Sequence, residues 1–234
     1  MKPTIQVADN LFPAGSALPE VGDIAQFVAD YCYDALYMYG EADNPFDAPT
    51  GLTHQIQILD EHGRNRFDHR NNGQNEEQCK LIYNIFMTGV GEKYPKFWDL
   101  YQIYRLYINY FGPREQANFH RDCDLPDDPQ DEAEQRNSNQ ITLLYYPKHR
   151  FDYTMDEGGC TEFYMDDRVI GIPPTANSMS YFTSTILHRA TPFRSHSRFT
   201  VAAKCCLRSA VKVVCDGIDE EFIKDTGAFP YGKE

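Results

Sequence analysis

At Arg105 the chain changes character, and that change limits what it can fold into. Upstream, apolar residues recur mostly at helical spacing. Downstream come short β-rich runs at 105–111, 141–146, 160–164, 168–171, 178–183 and 198–205, separated by turns. Helices first and strands afterwards predict an α+β, mainly β layout in which the helices brace one sheet of a sandwich or barrel.

The upstream half reads as supporting structure. Residues 8–20 are rich in Pro, Ala and Gly and predict an extended arm. From Gly22 to Tyr39, Ile24, Phe27, Val28, Tyr31, Ala35 and Leu36 share one helical face, with Gly40 placed to end the helix. Residues 53–68 predict a hairpin turning through His62-Gly63-Arg64-Asn65. A second helix is expected from Asn75 to Thr88, with Glu76 and Glu77 in its first turn. A third begins near Pro95 and carries Phe97, Leu100, Tyr101 and Tyr104, and Trp98 reads as a packing residue. At 234 residues, with no repeat or linker, one domain is expected: supporting elements over 1–104, a core over 105–206 and an extension over 207–234.

Composition removes some classes of function. A net charge of −13 with no basic stripe argues against nucleic-acid binding. No apolar run approaches a membrane span and the first residues lack a secretory core, so a soluble, cytoplasmic protein is expected. Seven cysteines without a C-x-x-C pair argue against a disulfide framework or zinc knuckle, and most read as small buried hydrophobes.

The chemistry gathers around Asn118-Phe119-His120-Arg121-Asp122. Residues two apart in extended backbone project to the same side, so His120 and Asp122 can present an imidazole nitrogen and a carboxylate oxygen to one ion. An H-x-D triplet alone is weak, and a surface histidine beside a solvated aspartate is its plain alternative. His188 comes 66 residues after Asp122, and Arg198 ten residues later opens an apolar run. Two histidines and one carboxylate on one face of a metal leave positions open for a chelating co-substrate and dioxygen. An arginine fork then suits the far carboxylate of a dicarboxylic acid. The alternatives are a core histidine at 188 and a strand-edge ion pair at 198.

The stretch 104–205 resembles the Fe(II)/2-oxoglutarate-dependent dioxygenase superfamily, and within it the prolyl-4-hydroxylase-like branch. The resemblance rests on Tyr110, His120-Arg121-Asp122, Thr142-Leu143-Leu144-Tyr145-Tyr146, Gly158-Gly159-Cys160-Thr161-Glu162-Phe163, His188 and Arg198, in that order. It implies a double-stranded β-helix (jelly roll) with the N-terminal helices packed on the major sheet. It implies Fe(II) held by His120, Asp122 and His188, with 2-oxoglutarate and O2 as co-substrates and hydroxylation of an unactivated C–H bond as the reaction. Arg198 matches the residue that salt-bridges the distal carboxylate of 2-oxoglutarate. Tyr146 matches a tyrosine that bonds the same carboxylate, with Thr142 four residues earlier on the same face, and Tyr110 matches a position lining the co-substrate pocket.

The substrate expected is a small molecule such as an amino acid or biosynthetic intermediate, with a peptidyl prolyl or lysyl group as the alternative. A cupin-like metalloenzyme that does not use 2-oxoglutarate, or a jelly-roll binding module, are the competing classes. Between His120 and Thr142 lie Asp124, Asp127, Asp128, Asp131, Glu132 and Glu134. Such a loop either keeps an acidic protein soluble or concentrates a cationic substrate.

Overall fold

The protein is described from a computed structural model that covers residues 4–19, 21–39, 51–60, 62–68, 73, 75–123, 125, 131 and 139–211. In chain order the elements begin with strands β1 (Ile5–Ala8), β2 (Ala17–Leu18) and β3 (Gly22–Asp23), then helix α1 (Ile24–Asp34). Strands β4 (Met38–Tyr39), β5 (Leu52–Leu59) and β6 (Asn65–Phe67) lead to helix α2 (Glu76–Lys93) and the single turn α3 (Phe97–Leu100). The core follows as β7 (Tyr101–Phe111), β8 (Ile141–Tyr146), β9 (Thr161–Met165), β10 (Arg168–Ile172), β11 (Ser178–Thr183), β12 (Leu187–Ala190) and β13 (Arg198–Leu207).

An eight-stranded sheet runs β1-β11-β8-β13-β7-β5-β4, with β6 paired to β5, and a smaller sheet runs β10-β9-β12. Every pairing in these sheets is antiparallel. The two sheets and the helices give the expected mainly-β jelly roll with helices on the major sheet. Strand alternation explains the layers. On β8, Ile141, Leu143 and Tyr145 pack with Ile82, Ile85 and Phe86 of α2, whereas Leu144 and Tyr146 pack with Phe163 of the small sheet. On β13, Phe199, Val201 and Ala203 join the helical side, and Ala202 joins the space between the sheets. Both faces of the central strands are therefore covered, which is why their sequences read as nearly continuous apolar runs.

Several boundaries differ from the sequence reading. The arm contains β1, which pairs with β11 from Ile5 opposite Phe182 to Ala8 opposite Met179. Helix α1 starts where Asp23 accepts a hydrogen bond from the Gln26 amide at 2.7 Å, and stops at Asp34 because Ala35 is extended. The chain then pairs Met38 with Thr53 as an edge strand, so the helical spacing of Ala35 and Leu36 misleads, and Gly40 lies outside the described residues. The hairpin forms as expected, and Asp60 ties its turn by accepting from the amides of His62 and Arg64, each at 2.9 Å.

Helix α2 continues past Thr88 to Lys93. A Cβ on Gly89 would stand 2.5 Å from the Phe12 ring, so the glycine is there for close approach of the arm and does not end the helix. Tyr101 and Tyr104 belong to β7 rather than to a third helix, since the sheet captures the chain directly after Leu100. Trp98 packs as expected and donates to the Met87 carbonyl at 2.9 Å. Strand β12, which carries His188, has only four residues and no β signal of its own in the sequence. Among the described residues, no helix is long and apolar enough to cross a membrane.

Candidate metal and co-substrate site

His120 and His188 face each other across an antiparallel bridge in which each backbone amide donates to the other's carbonyl at 2.9 Å. That pairing, between residues far apart in sequence, brings the ring centroids to 4.6 Å. Asp122 is held from its own backbone: its amide donates to the Ser184 carbonyl at 3.0 Å. The carboxylate lies 3.7 Å from His120 Nε2 through Oδ1 and 3.6 Å from His188 Nε2 through Oδ2. One ligand atom from each of the three residues falls within 4.8 Å of the others.

The proton positions fit a metal. His120 Nδ1 lies 3.0 Å from the Asn118 carbonyl, and His188 Nδ1 lies 2.9 Å from the Ile186 carbonyl. A carbonyl only accepts, so both Nδ1 atoms carry a hydrogen, and the two Nε2 atoms are the ones turned toward Asp122. Burial pushes the His188 pKa down to about 4, against the opposing pull of Asp122, so this imidazole is neutral at pH 7. Burial alone would raise the Asp122 pKa. The Lys204 ammonium, the two histidines and the Thr142 hydroxyl outweigh it and hold the carboxyl well below the usual carboxylate range.

Arg198 lies in the same cavity, of about 140 Å³, whose lining also includes His120, Arg121, Asp122, Thr161, His188 and Lys204. It is only 2% exposed, yet among the described residues no carboxylate pairs with it. Its Nε donates to the Gly159 carbonyl and its Nη2 to Thr161 Oγ1, both at 2.9 Å. Gly159 must be glycine on two counts: φ is +77°, and a Cβ would stand 2.1 Å from the Phe193 ring. A buried guanidinium held by neutral acceptors retains its charge and calls for an anion.

The other expected residues fall in different places. The Tyr146 hydroxyl lies 2.8 Å from Thr161 Oγ1 and 3.2 Å from Ser180 Oγ, so it reaches Arg198 through Thr161. Thr142 lies against the metal cluster, not the guanidinium: its hydroxyl donates to Asp122 Oδ2 at 2.6 Å and meets Ser184 Oγ at 2.9 Å. Tyr110 is a correction. Tyr107, Asn109 and Phe111 line the cavity, so Tyr110 points to the opposite side of β7, where it packs on Tyr37 and Phe199. Arg189 is spent on Glu162 at 2.8 Å, and Arg194 is exposed.

Lys204 escapes the sequence reading. Its Nζ lies 3.4 Å from Asp122 Oδ1. A signal is present, because residues 198, 200, 202 and 204 share one side of β13 and a lysine within Val201-Ala202-Ala203-Lys204-Cys205-Cys206 needs a buried partner. Of the acidic stretch, Leu125 and Asp131 are described, and Asp124, Asp127, Asp128, Glu132 and Glu134 lie outside the described residues.

Two imidazoles and one carboxylate thus gather beside a buried arginine on a jelly roll. Residues 105–203 match the family model of the 2OG-Fe(II) oxygenase superfamily. Fe(II), 2-oxoglutarate and O2 are the cofactor and co-substrates of that family. Among solved structures, the chain is similar to an oxidoreductase of the 2OG-Fe(II) oxygenase family from Burkholderia pseudomallei, with 13% identity and a TM-score of 0.58 over 87% of this chain and 84% of that one. It is also similar to a prolyl hydroxylase from Trichoplax adhaerens in complex with a hypoxia-inducible-factor peptide fragment, at 13% identity and a TM-score of 0.58, covering 90% and 86%. HygX from Streptomyces hygroscopicus, with nickel and 2-oxoglutarate bound, aligns at 8% identity and a TM-score of 0.51, covering 86% and 82%. At these identities the likeness is one of fold. No curated protein matches in sequence.

Proposed function

We propose that this chain binds Fe(II) through His120, Asp122 and His188, binds the distal carboxylate of 2-oxoglutarate through Arg198, and hydroxylates a C–H bond of a small molecule. The observation that supports this reading is that, in one cavity, three ligand atoms within 4.8 Å of one another lie beside a buried guanidinium without a carboxylate partner among the described residues. Bound Fe(II) with 2-oxoglutarate and O2 would supply the oxidising chemistry, one oxygen atom of O2 ending in succinate as CO2 is lost and the other in the hydroxylated product.

The residues of the chain do the rest. The Asn118 and Ile186 carbonyls fix the two histidine tautomers, and Thr142 and Lys204 fix the carboxylate. Arg198 orients the co-substrate by a charge-assisted fork, and Thr161 locks the fork by accepting from Nη2. Leu144 and Phe111 supply apolar wall that keeps water off the reacting centre.

A small substrate suits a cavity of about 140 Å³ that must also hold the co-substrate. Its described walls carry Arg121, Arg198 and Lys204 against Asp122, so the cationic-substrate idea draws nothing from them. The peptide alternative draws on the similar prolyl hydroxylase, which holds a peptide fragment. The test is a screen for Fe(II)- and 2-oxoglutarate-dependent succinate release across free amino acids, small metabolites and proline- or lysine-containing peptides. Stimulation by small molecules is expected, and stimulation by peptides alone would transfer the assignment to a peptidyl substrate.

A further inference from the structure

On the helical side of the major sheet, away from the cavity just described, a second set of chemistry-bearing side chains is buried together. His54 comes from β5, Asp68 from the turn after β6, Cys79 from α2, and Tyr31 from α1. His54, Asp68 and Cys79 are 2%, 0% and 0% exposed, and one ligand atom from each lies within 4.8 Å of the others. We propose that His54, Asp68 and Cys79 form a second metal site that takes Zn(II) and staples helix α2 to the sheet. This inference stands apart from the oxygenase reading and shares no residue with it.

The donor set is chemically matched. Thiolate, imidazole and carboxylate together suit Zn(II) better than the hard cations, which prefer oxygen alone. His54 Nδ1 lies 2.9 Å from the Leu36 carbonyl, so Nδ1 carries the hydrogen and Nε2 presents a lone pair toward the cluster. Burial pushes the His54 pKa down, so the imidazole stays neutral. Cys79 Sγ lies 3.9 Å from His54 Nε2, close to the roughly 3.6 Å that tetrahedral zinc imposes between a sulfur and a nitrogen ligand.

The Tyr31 hydroxyl sits beside both atoms, 2.8 Å from Nε2 and 3.3 Å from Sγ. Its proton occupies the lone pair that a cation would take, and burial keeps that phenol protonated. On metal binding the tyrosine oxygen yields the lone pair, and a fourth ligand comes from Tyr31 itself or from water in the adjoining cavity of about 240 Å³, which Tyr31 and His54 line. The Asp68 carboxylate is held in place beside them: the residue has φ of +47° and its Oδ2 accepts from the Asn75 amide at 2.6 Å.

Cobalt(II) is the probe, because a thiolate ligand gives a near-ultraviolet charge-transfer band that the sulfur-free His120, Asp122, His188 set cannot give. Chelator-treated full-length protein should develop this band, and in His188→Ala, where the first set is broken, the band should saturate at one cobalt per chain. Burial pushes the Cys79 pKa up to about 11, so binding releases a proton and the apparent affinity should rise about tenfold per pH unit. The band should vanish in Cys79→Ser and His54→Ala, and persist in His188→Ala, Cys123→Ser and Cys160→Ser. No band in the wild type, or a band that survives Cys79→Ser, would overturn the proposal. Should Cys79→Ser fail to fold, zinc X-ray absorption on wild-type protein decides: a sulfur neighbour among the nitrogen and oxygen ones is expected, and a shell without sulfur refutes the site.

Discussion

Replacing Arg198 with methionine leaves an unbranched, somewhat shorter apolar side chain and removes the charge and the donors. The guanidinium is 2% exposed and is held by the Gly159 carbonyl and Thr161 Oγ1, so an incoming carboxylate meets a desolvated, pre-oriented fork. Losing a charge-assisted, buried pair of this kind costs about 2–4 kcal/mol. At about 1.4 kcal/mol per tenfold, the 2-oxoglutarate dissociation constant should rise about 30- to 700-fold. Calorimetric titration of anaerobic, Mn(II)-loaded protein reads this directly, with chemical denaturation confirming that the variant is folded. A paired ligand sharpens the test. Wild-type protein should prefer 2-oxoglutarate over 2-oxopentanoate, which lacks the distal carboxylate, by that same factor, and Arg198→Met should lose the preference to within about threefold. Arg198→Lys should recover part of the affinity, because an ammonium is a point charge without the fork. A shift below about threefold in Arg198→Met, or a larger defect in Arg189→Ala or Arg194→Ala, would refute the assignment.

Other consequences are open to measurement. Lys204→Met should lower metal-free stability by about 3 kcal/mol by leaving the buried Asp122 carboxylate short of counter-charge, and Mn(II) should recover more stability in the variant than in the wild type. Equal losses with and without metal would contradict that pairing. The folded His188 pKa, about 4, lies below the unfolded value of roughly 6.5. Its contribution is therefore present above pH 6.5 and lost as the pH falls to about 4, by about 3 kcal/mol in metal-free protein, and His188→Gln should flatten that slope in denaturant titrations. Asp23→Ala removes the α1 cap, and a loss of about 1 kcal/mol in thermal or chemical unfolding is expected with no change in 2-oxoglutarate affinity.

The core is more legible in the sequence than its supports. Strands β8, β11 and β13 are buried on both faces and announce themselves as apolar, β-branched and aromatic runs, so their limits agree within two residues. The candidate residues His120, Asp122, His188 and Arg198, which the fold brings to one cavity, stand out in the sequence because some are residue types the surroundings would otherwise exclude, such as an arginine opening a buried strand. Tyr110 misleads because strand parity decides its side only once the cavity is known: Tyr107, Asn109 and Phe111 share one side and Tyr110 the other. Tyr101 and Tyr104 read as helical because aromatic residues three apart satisfy helical spacing, and only pairing with β13, Leu207 opposite Tyr101, decides for the strand. The cluster of His54, Asp68 and Cys79 leaves no trace in the sequence, since its members sit on separate elements with no motif spacing.

The central claim is that His120, Asp122 and His188 hold the metal on which 2-oxoglutarate binding depends. Equilibrium dialysis of labelled 2-oxoglutarate against anaerobic protein tests it, with Fe(II) present or withheld, in wild type and in the Asp122→Ala and His188→Ala variants. The account predicts tight binding of one 2-oxoglutarate per chain to wild-type protein with Fe(II), and at least tenfold weaker binding without iron or in either variant. Binding that is equally tight without iron, or that survives in His188→Ala, would contradict it.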